Sequence, residues 1–511
     1  MANDDGNRSE QPIGDGTNAK ARLGMIQDHI GSKQKARKAK KARITEGPAD
    51  WSDVIEEFDD VRRRAQTPLY DTTGYQRHKE AGKLWVRERL DLLLDHGSFR
   101  EIGSVSGTAT WTKINPESKS GIEAEREKVT DFTPSNNVQG GGSITSYKTQ
   151  NGSYIPELEL LPFVVRQLDL GVPNCAAVVG PAVGLGAARA ASCHFSVMAG
   201  DVGSLFNAGP KIVEGATFEE GLSLKELGGP EIHCSNGVID NYAANEKDCY
   251  DQIARFLAFT PNHGGVLPPV LASTDTPDRQ CPELRETIPR RRQRGYSVHP
   301  IITALVDKDS FFEQGPMWGR TIVVGLARMD GRPVGIFANN SLVNAGALDS
   351  QGCQKLSKHL KLCDVMGLPL VQLVDIPGFA IGTVAERSGV MKWAMELCKT
   401  YFTTTIPIFT TIIRRCYGIG GVILVDNREP NCRVAWPSAN WGSIPLDGGI
   451  EVNHRADLKK AGEKRHELYN KLEAEYLNLQ NPLRTANKFG VEEVIDPAYT
   501  RTLVCEWTQH M

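Results

Sequence analysis

The chain has 511 residues, a formal net charge of −3 and 24% charged residues. That length allows two domains of ordinary size, and the near-neutral charge gives no general sign of nucleic-acid binding. No uninterrupted apolar stretch approaches membrane-spanning length, so we expect no membrane partner. The 11 cysteines include no C-x-x-C pair, which argues against a zinc ribbon or other metal site and favours reduced thiols in an intracellular compartment.

Residues 1–45 are polar, and residues 32–43 form a basic run. A solvated tail or frayed helix is the simplest interpretation, with nuclear targeting or an anionic partner as the alternative. Asp4, Asp5 and Glu10 make this segment unlike a mitochondrial presequence, and it has no apolar signal core. We therefore expect a disordered tail on a cytoplasmic protein, with the mitochondrial matrix as the alternative compartment.

Regular patterns are sparse in the first half of the chain. Residues 75–95 predict a single helix, with an apolar stripe from Val86 to Leu94 and a stop at His96-Gly97. Further along, four arginines surround Gln293 and predict an exposed connector. We place a lobe boundary there, which gives an N-terminal lobe at 46–295 and a C-terminal lobe at 296–511.

The second half of the chain alternates predicted strands and helices. The dipeptide Asp330-Gly331 between two strands indicates a hairpin. The order strand, helix, strand, helix predicts a parallel sheet built from right-handed crossovers. The predicted elements are strands at 321–329, 334–338 and 368–374, and helices at about 353–363 and 385–401.

The strand predicted at 407–413 runs directly into a glycine-rich stretch at 414–421, which we call the second glycine segment. Short apolar runs that stop at glycines are typical of strands buried on both faces. Glycines leave backbone N–H groups accessible to a ligand. The first N–H groups of a helix also lack an internal acceptor and attract negative charge. A helix beginning here would therefore provide an oxyanion site.

The same arrangement occurs earlier, where an apolar run at 174–179 ends in the first glycine segment, residues 180–186. Two matches in the same order, both around glycines, predict an internal duplication with one amide-lined pocket in each lobe. The aligned pairs are Pro173 and Pro407, Gly184 and Gly418, and Gly186 and Gly420, all 234 positions apart, followed by 203–205 and 442–444, which are 239 apart.

Neither glycine segment matches a common nucleotide-binding or hydrolase motif. Ile423 occupies the third glycine position of a dinucleotide fingerprint, and neither segment shows a Gly-Lys-Ser/Thr or Gly-x-Ser-x-Gly pattern. Tight packing of a helix on a strand would also require glycines, but repetition at matching positions favours a site. Asp375, at the carboxyl end of a predicted strand, is either a site residue or a cap of the next turn.

Met391-Lys392-Trp393 is similar to the Met-Lys-Met motif at which biotin is attached. The third residue differs, and the lysine lies inside a predicted helix, whereas a biotinylated lysine requires an exposed turn. We therefore expect no biotin on this chain.

Several further motifs resemble one known family, the carboxyltransferase (β) subunits of biotin-dependent acyl-CoA carboxylases such as propionyl-CoA and methylcrotonyl-CoA carboxylase. The resemblance covers the chain from about residue 46 to its end and is strongest at 296–450. The motifs that carry it are 82–84, 87–90, 92–95, 97–99, 226–229 with His233, 331–335, 373–379 and 415–420.

The resemblance implies an α/β protein with a two-lobed crotonase-type (ClpP-like) fold, assembled as a hexamer with each site between lobes of neighbouring subunits. In that family, the first segment binds the thioester oxygen of acyl-CoA while its α-carbon becomes an enolate. The second binds the ureido oxygen of carboxybiotin. By position, the donors would be the amides of Gly184 and Leu185 and those of Ile419 and Gly420. The further binding positions would be Gly180, Gly186, Tyr417, Gly418, Gly421, Asp375 and Gly378.

Two amide pockets can hold both anionic partners without a side-chain base, because biotin itself can take the proton. Removing one oxyanion donor typically costs about 2.7–4 kcal/mol. No ATP-binding domain and no biotin-attachment site are visible. The resemblance therefore implies an acyl-CoA substrate, carboxybiotin on a separate subunit, and a biotin carboxylase/biotin carrier α subunit as partner.

The chain departs from the family pattern after Val129-Thr130, where the family has a strand, a helix and a strand. Here 131–139 leads directly to three glycines at 140–142, so roughly 30 residues of such a unit are missing. Ser143 replaces the usual arginine, which affects the region that holds CoA. Two alternatives to a carboxylase subunit remain: a biotin-dependent acyl-CoA decarboxylase subunit, and a non-catalytic paralogue that keeps only its assembly surfaces.

Overall fold

The computed structural model describes residues 51–114, 126–134, 161–428 and 432–511. It divides into two compact units, one within Met1–Asp71 and Arg100–Val138, the other within Thr72–Phe99 and Gln139–Met511. The predicted tail at 1–45, and residues 135–160 of the region predicted to be shortened, lie outside the described residues. The lobe boundary at 295 stays a prediction.

The helices are α1 (Ser52–Gln66), α2 (Thr73–Glu80), α3 (Val86–Leu93), α4 (Leu161–Asp169), α5 (Leu185–Ser192), α6 (Pro210–Thr217), α7 (Leu224–Gly228), α8 (Pro230–His233), α9 (Glu246–Leu257), α10 (His299–Leu305), α11 (Ser350–Met366), α12 (Thr383–Arg387), α13 (Val390–Thr403), α14 (Gly418–Leu424), α15 (Leu446–Asn453), α16 (Arg455–Lys460), α17 (Arg465–Leu479), α18 (Pro482–Ala486) and α19 (Thr500–Gln509). Short 3-10 turns lie at Pro282–Glu286, Asn344–Gly346, Gly462–Lys464 and Pro497–Tyr499. Within the described ranges, no helix is long and apolar enough to cross a membrane.

The strands are β1 (Gly107–Ile114), β2 (Arg126–Pro134), β3 (Cys175–Val178), β4 (Pro181–Val183), β5 (Phe195–Ala199), β6 (Ser204–Phe206), β7 (Asn241–Ala243), β8 (Phe312–Gln314), β9 (Ile322–Met329), β10 (Arg332–Asn339), β11 (Leu370–Ile376), β12 (Ile408–Tyr417), β13 (Cys432–Ala435), β14 (Asn440–Gly442) and β15 (Glu493–Val494).

The smaller unit contains an antiparallel pair, β1 with β2, and the helix α1. Val61 and Ala65 on α1 pack against Val129 and Phe132 on β2. The spacing of Val61 and Ala65 places both on one face of the helix. This small apolar cluster is what joins the helix to the strand pair.

The largest sheet of the second unit has the order β15-β13-β12-β11-β10-β9-β8, with β14 paired to the far end of β12. Strands β10 to β13 run parallel, as the alternation of strands and helices predicts. β9 and β10 form the predicted hairpin, and both turn residues, Asp330 and Gly331, have positive φ angles of 49° and 76°. Those angles suit a tight turn between twisted strands.

Two smaller parallel sheets, β3-β5-β7 and β4-β6, carry the first glycine segment. Their pairing repeats that of β12 with β13, β14 and β15, so we call these two groups of strands the first and second repeats. The internal duplication is therefore visible in the strand pairing. The matching pairs are Cys175–Phe195 with Phe409–Cys432, Pro181–Ser204 with Arg415–Asn440, and Val197–Asn241 with Val434–Glu493.

One part of the predicted alignment is wrong. The glycine match aligned Ser204 with Ser443. In the structure the strand that corresponds to β6 is β14, and the residue of β14 that corresponds to Ser204 is Asn440. Those two residues are 236 positions apart, so the second repeat carries two extra residues here rather than five. Strand pairing, and not residue identity, decides the correspondence.

Three other predictions need correction. The helix predicted at 75–95 is two helices, α2 and α3, with Gly82 in a left-handed conformation between them. The helix predicted at 385–401 is likewise divided, at Gly389. The strand predicted at 407–413 is too short, since β12 continues to Tyr417 and α14 begins at the next residue.

The two repeats share one apolar core. Phe195 of β5 stacks on Phe256 of α9 with ring centroids 5.0 Å apart, and meets Phe312 of β8 edge-on at 5.4 Å. The same buried cluster extends to α11 and to the strands β9–β12. The second glycine segment joins this cluster through Cys416, whereas Ala182 of the first segment packs in a smaller, separate cluster.

Candidate functional site

In the first repeat, β4 passes directly into α5 at Gly184. This residue has φ 57° and ψ −121°, a conformation that an L residue rarely adopts. Its N–H donates to the carbonyl oxygen of Phe206 (3.2 Å), and its own carbonyl accepts the N–H of Ala188 (3.0 Å). Leu185 and Gly186 begin the helix, so their N–H groups have no acceptor within it.

The helix end at Gly186 borders open space. Among the described residues, no atom lies within 4 Å of the position that a Cβ at Gly186 would occupy. Tight packing therefore does not account for this glycine, whereas close approach of a ligand to the backbone does.

The second repeat reproduces this junction with more crowding. Gly418 has a positive φ of 62° and begins α14, and the side chain of Ile419 is 59% exposed. A Cβ at Gly420 would lie 2.8 Å from Cδ1 of Ile376, and one at Gly421 would lie 2.9 Å from the backbone carbon of Cys416. Packing against backbone therefore accounts for the glycine at 421, whereas at 420 the only close atom of the described residues is the end of the Ile376 side chain, which can move.

Asp375 lies beside this junction with its carboxylate fully buried. Its Oδ1 accepts the backbone N–H (3.1 Å) and Nε–H (2.7 Å) of Arg415. Its Oδ2 accepts Nη2–H of Arg414 (2.8 Å) and the hydroxyl of Tyr296 (2.8 Å). The structure therefore does not place this carboxylate against a ligand, and its predicted cofactor contact stays untested.

Charge decides the protonation states in this cluster. Burial alone would raise the pKa of Asp375, but the guanidinium groups of Arg415 and Arg414 outweigh it and hold the pKa below its usual value. Burial and the neighbouring carboxylate raise the pKa of Tyr296. The carboxylate is thus ionised at neutral pH, and the phenol keeps the proton that it donates.

A second set of hydrogen bonds holds the junction through Tyr417, the last residue of β12. Its hydroxyl lies 2.7 Å from Oδ1 of Asn440 and 3.0 Å from Oε1 of Gln480, and its side chain is buried. Gly378, whose φ is 130°, lies 3.4–3.5 Å from the Cβ position of Gly420. The structure thus brings Asp375, Gly378, Tyr417 and α14 together.

The first repeat has no counterparts of the arginine and tyrosine side chains that hold the second junction. The positions 234 residues before Arg414, Arg415 and Tyr417 are Gly180, Pro181 and Val183, which have no guanidinium or phenol. An open groove of about 380 Å³ runs along this segment and is lined partly by Arg89 and Arg189.

Basic groups surround that groove. Nζ of Lys83 lies 3.7 Å from the Cβ position of Gly180. Arg89 forms an ion pair of 2.8 Å with Glu246, which is buried. Glu246 balances the charge of Arg89, which leaves Lys83 and Arg189 as the positive groups beside the first turn of α5, an arrangement that suits an anionic ligand.

The sequence analysis missed Tyr296, Arg414 and Asn440, all of which hold the second segment. The sequence did contain a sign of the role of Arg414, because it is one of two adjacent arginines that directly follow a predicted buried strand. Charged groups in such a place require a buried partner, and Asp375 was already a candidate. Tyr296 and Asn440 had no sequence pattern of their own.

Comparison with known proteins decides the family. A family model described as the carboxyl transferase domain matches residues 164–510. The chain belongs to the carboxyl transferase family. The match confirms the prediction of a carboxyltransferase subunit of the acyl-CoA carboxylase type, and with it the prediction that the chain is an enzyme component.

Two relatives illustrate the range of this family. The propionyl-CoA carboxylase carboxyltransferase subunit of Haloferax mediterranei is 32% identical over 494 residues, covering 87% of this chain and 94% of its own. The methylmalonyl-CoA decarboxylase subunit alpha of Propionigenium modestum is 29% identical over 338 residues, covering 66% and 65%.

Among solved structures, the hexameric transcarboxylase 12S, crystallised with methylmalonyl-CoA and methylmalonic acid, superposes with a TM-score of 0.74. It is 24% identical, and the match covers 91% of this chain and 96% of the transcarboxylase chain. This similarity concerns the fold, and it confirms the predicted crotonase-type α/β class.

Proposed function

We propose that this subunit transfers the carboxyl group of carboxybiotin to the α-carbon of an acyl-CoA, with propionyl-CoA as the first substrate to test. The observation that supports this most is the repeated junction at Gly184 and Gly418, where a strand turns into a helix with free first-turn amides. Such amides stabilise an oxygen that gains negative charge.

In this proposal the free amides of Leu185 and Gly186 bind the thioester oxygen of the acyl-CoA, because the N–H of the predicted donor Gly184 already bonds to Phe206. As the α-C–H bond breaks, the electron pair delocalises to that oxygen and the amides stabilise the enolate. The open position at Gly186 gives the thioester access to the backbone. Lys83 and Arg189 provide positive charge beside the groove for the phosphates of CoA.

The amides of Ile419 and Gly420 bind the ureido oxygen of the carboxylated cofactor. They favour cleavage of its N–CO2 bond because the electron pair of that bond moves onto this oxygen. When bound, the carboxylated cofactor would supply the carboxyl group for the new C–C bond to the enolate carbon and would accept the α-proton. The chain's own residues bind and orient both partners and hold the charge on the two oxygens.

Two partners complete the proposal: a separate α subunit that carries biotin and a biotin carboxylase, and further copies of this chain in a hexamer. Assembly is supported by apolar side chains exposed on one face of α13, at Met391, Met395 and Phe402. Their spacing of four and seven residues places them on one stripe, and such a stripe is typical of a covered surface. The cytoplasm stays the proposed compartment.

The test combines the purified chain with a biotin carboxylase/carrier subunit, ATP, radiolabelled bicarbonate and one acyl-CoA at a time. We expect acid-stable label in methylmalonyl-CoA when propionyl-CoA is present, and methylcrotonyl-CoA is the second substrate to try. Omitting either subunit is the control. Absence of labelled product with every acyl-CoA, while the carrier becomes carboxylated, would overturn the proposal.

A second candidate is the reverse direction, which the similarity to a decarboxylase subunit favours. The same two amide pockets would then bind methylmalonyl-CoA and uncarboxylated biotin. Incubation with methylmalonyl-CoA and free biotin measures this directly. Release of propionyl-CoA that is faster than ATP-driven carboxylation under matched conditions would support the decarboxylase assignment.

A further inference from the structure

The pairing of β11 with β12 contains an irregularity at Asp375. Val374 pairs with Ile412, but the next pair is Ile376 with Cys416. One residue of β11 therefore lies opposite three residues of β12. Extra residues of this kind bend a strand and leave backbone groups without their usual ladder partner.

The side chain of Asp375 fills that irregularity. Its Oδ1 accepts the backbone N–H of Arg415 (3.1 Å), which is one of the residues in the bulge. Its own N–H donates to Oδ1 of Asn339 (3.1 Å) on the neighbouring strand β10. The carboxylate thus replaces a ladder hydrogen bond and fixes the course of β12 three residues before Gly418.

Arg415 extends the attachment to a third segment. Its Nη2 donates to Oδ2 of Asp375 and also to the carbonyl oxygen of Ala345. Ala345 has a positive φ of 52°, and such a conformation persists in a residue other than glycine only where its surroundings hold it. β11, β12 and this turn are therefore connected through one carboxylate.

The connection ends at the helix that carries the proposed oxyanion donors. The turn after β11 contacts α14 through Gly378 and Ile376, both of which lie close to the Cβ position of Gly420. Any displacement of the turn relative to β12 must move α14, since no free space separates them.

Resting on the proposed function, we infer that Asp375 is a positioning residue that sets the orientation of the α14 amides, and that it does not itself contact biotin or acyl-CoA. Its two oxygens already accept bonds from Arg414, Arg415 and Tyr296. A carboxylate has about four lone-pair sites, so it has no acceptor capacity left for a ligand.

The first test is hydrogen–deuterium exchange of the assembled protein, comparing wild type with Asp375→Asn and Arg415→Lys. We expect faster exchange in the peptide that covers α14 and unchanged exchange in the peptide that covers α5. Asp240→Asn is the matched control, because Asp240 is also buried and paired with a lysine, Lys358, but lies in neither junction. Unchanged exchange at α14 in Arg415→Lys would overturn the inference.

Kinetics provide the second readout. A misplacement of about 1 Å costs on the order of 10²-fold in rate, so we expect kcat to fall by roughly that factor in Asp375→Asn and less in Arg415→Lys. The KM for acyl-CoA should stay within about twofold of wild type, because the first pocket is untouched. Equal loss of kcat in the Asp240→Asn control would show a merely structural role.

The two proposals can fail separately. If wild type carboxylates no acyl-CoA, the proposed function falls, while the exchange measurement still decides whether Asp375 orients α14. Suppose instead that wild type is active and that the Asp375→Asn protein no longer binds biotin while exchange at α14 is unchanged. Asp375 would then contact the biotin directly, and the positioning role would be wrong.

Discussion

Gly184 and Gly418 are 234 positions apart and both have a positive φ angle, 57° and 62°. Each stands where a parallel strand passes into a helix without an intervening loop. The duplication has therefore preserved a backbone angle as well as a topology.

Alanine at either glycine should be costly. An L residue forced to positive φ loses roughly 1–2 kcal/mol, so we expect Gly184→Ala and Gly418→Ala each to lower the free energy of unfolding by about that amount and to lower carboxyl transfer further. Urea denaturation and turnover measure the two effects. Gly367→Ala is the control, because Gly367 also has positive φ (65°) but ends α11. Full activity in Gly184→Ala would contradict the assignment of this junction.

Gly421→Ala tests the packing at the second junction. Its Cβ would lie 2.8 Å from Sγ of Cys416, and overpacking of this kind costs about 1–3 kcal/mol. The first repeat has Ala187 and Ala182 at the corresponding positions. We therefore expect Cys416→Ala to restore part of the stability in the double variant. Additive losses in a double-mutant cycle would show that the two repeats do not pack alike here.

Tyr417→Phe should remove the attachment to Asn440 and Gln480. Loss of one buried hydrogen bond costs about 1 kcal/mol, and release of β12 from β14 should lower kcat as well. Thr508→Val is the matched control, since the hydroxyl of Thr508 is also buried and donates to the carbonyl oxygen of Cys505 (2.8 Å) within α19. We therefore expect thermal unfolding to show a similar loss of stability in both variants, and turnover to fall only in Tyr417→Phe.

The buried Lys355 should make the free energy of unfolding depend on pH. Burial lowers its pKa from 10.5 to about 8, although Glu313 and Asp240 oppose the shift. Between those values the unfolded chain binds more protons than the folded one. The contribution of this lysine to the free energy of unfolding therefore rises with pH across that window.

Urea denaturation of wild type and Lys355→Met at pH 7.5 and pH 9.5 measures that contribution. The difference between the two proteins should shift in favour of wild type at the higher pH. Lys361→Met, an exposed position on the same helix, should show no such shift. A constant difference between wild type and Lys355→Met would contradict the prediction.

The sequence patterns predicted most of the buried strands of the large sheet and both glycine segments, because buried parallel strands and positive-φ positions restrict the residue type strongly. They failed where a side chain from a distant strand decides the structure. Arg414 and Arg415 look like a loop by charge, yet they continue β12 because Asp375, 39 and 40 positions earlier, neutralises them. The breaks at Gly82 and Gly389 were missed because a single glycine is compatible with a continuous helix.

The stacked rings of Phe195, Phe256 and Phe312 have a consequence for how the duplicated protein unfolds. The buried cluster around these rings contains side chains of both repeats, such as Val197 and Ile412, so we expect the two repeats to melt in one cooperative transition. A fragment cut between them would keep the sequence of a complete copy but lack half of its interior. Each repeat therefore depends on the other to cover part of its apolar surface.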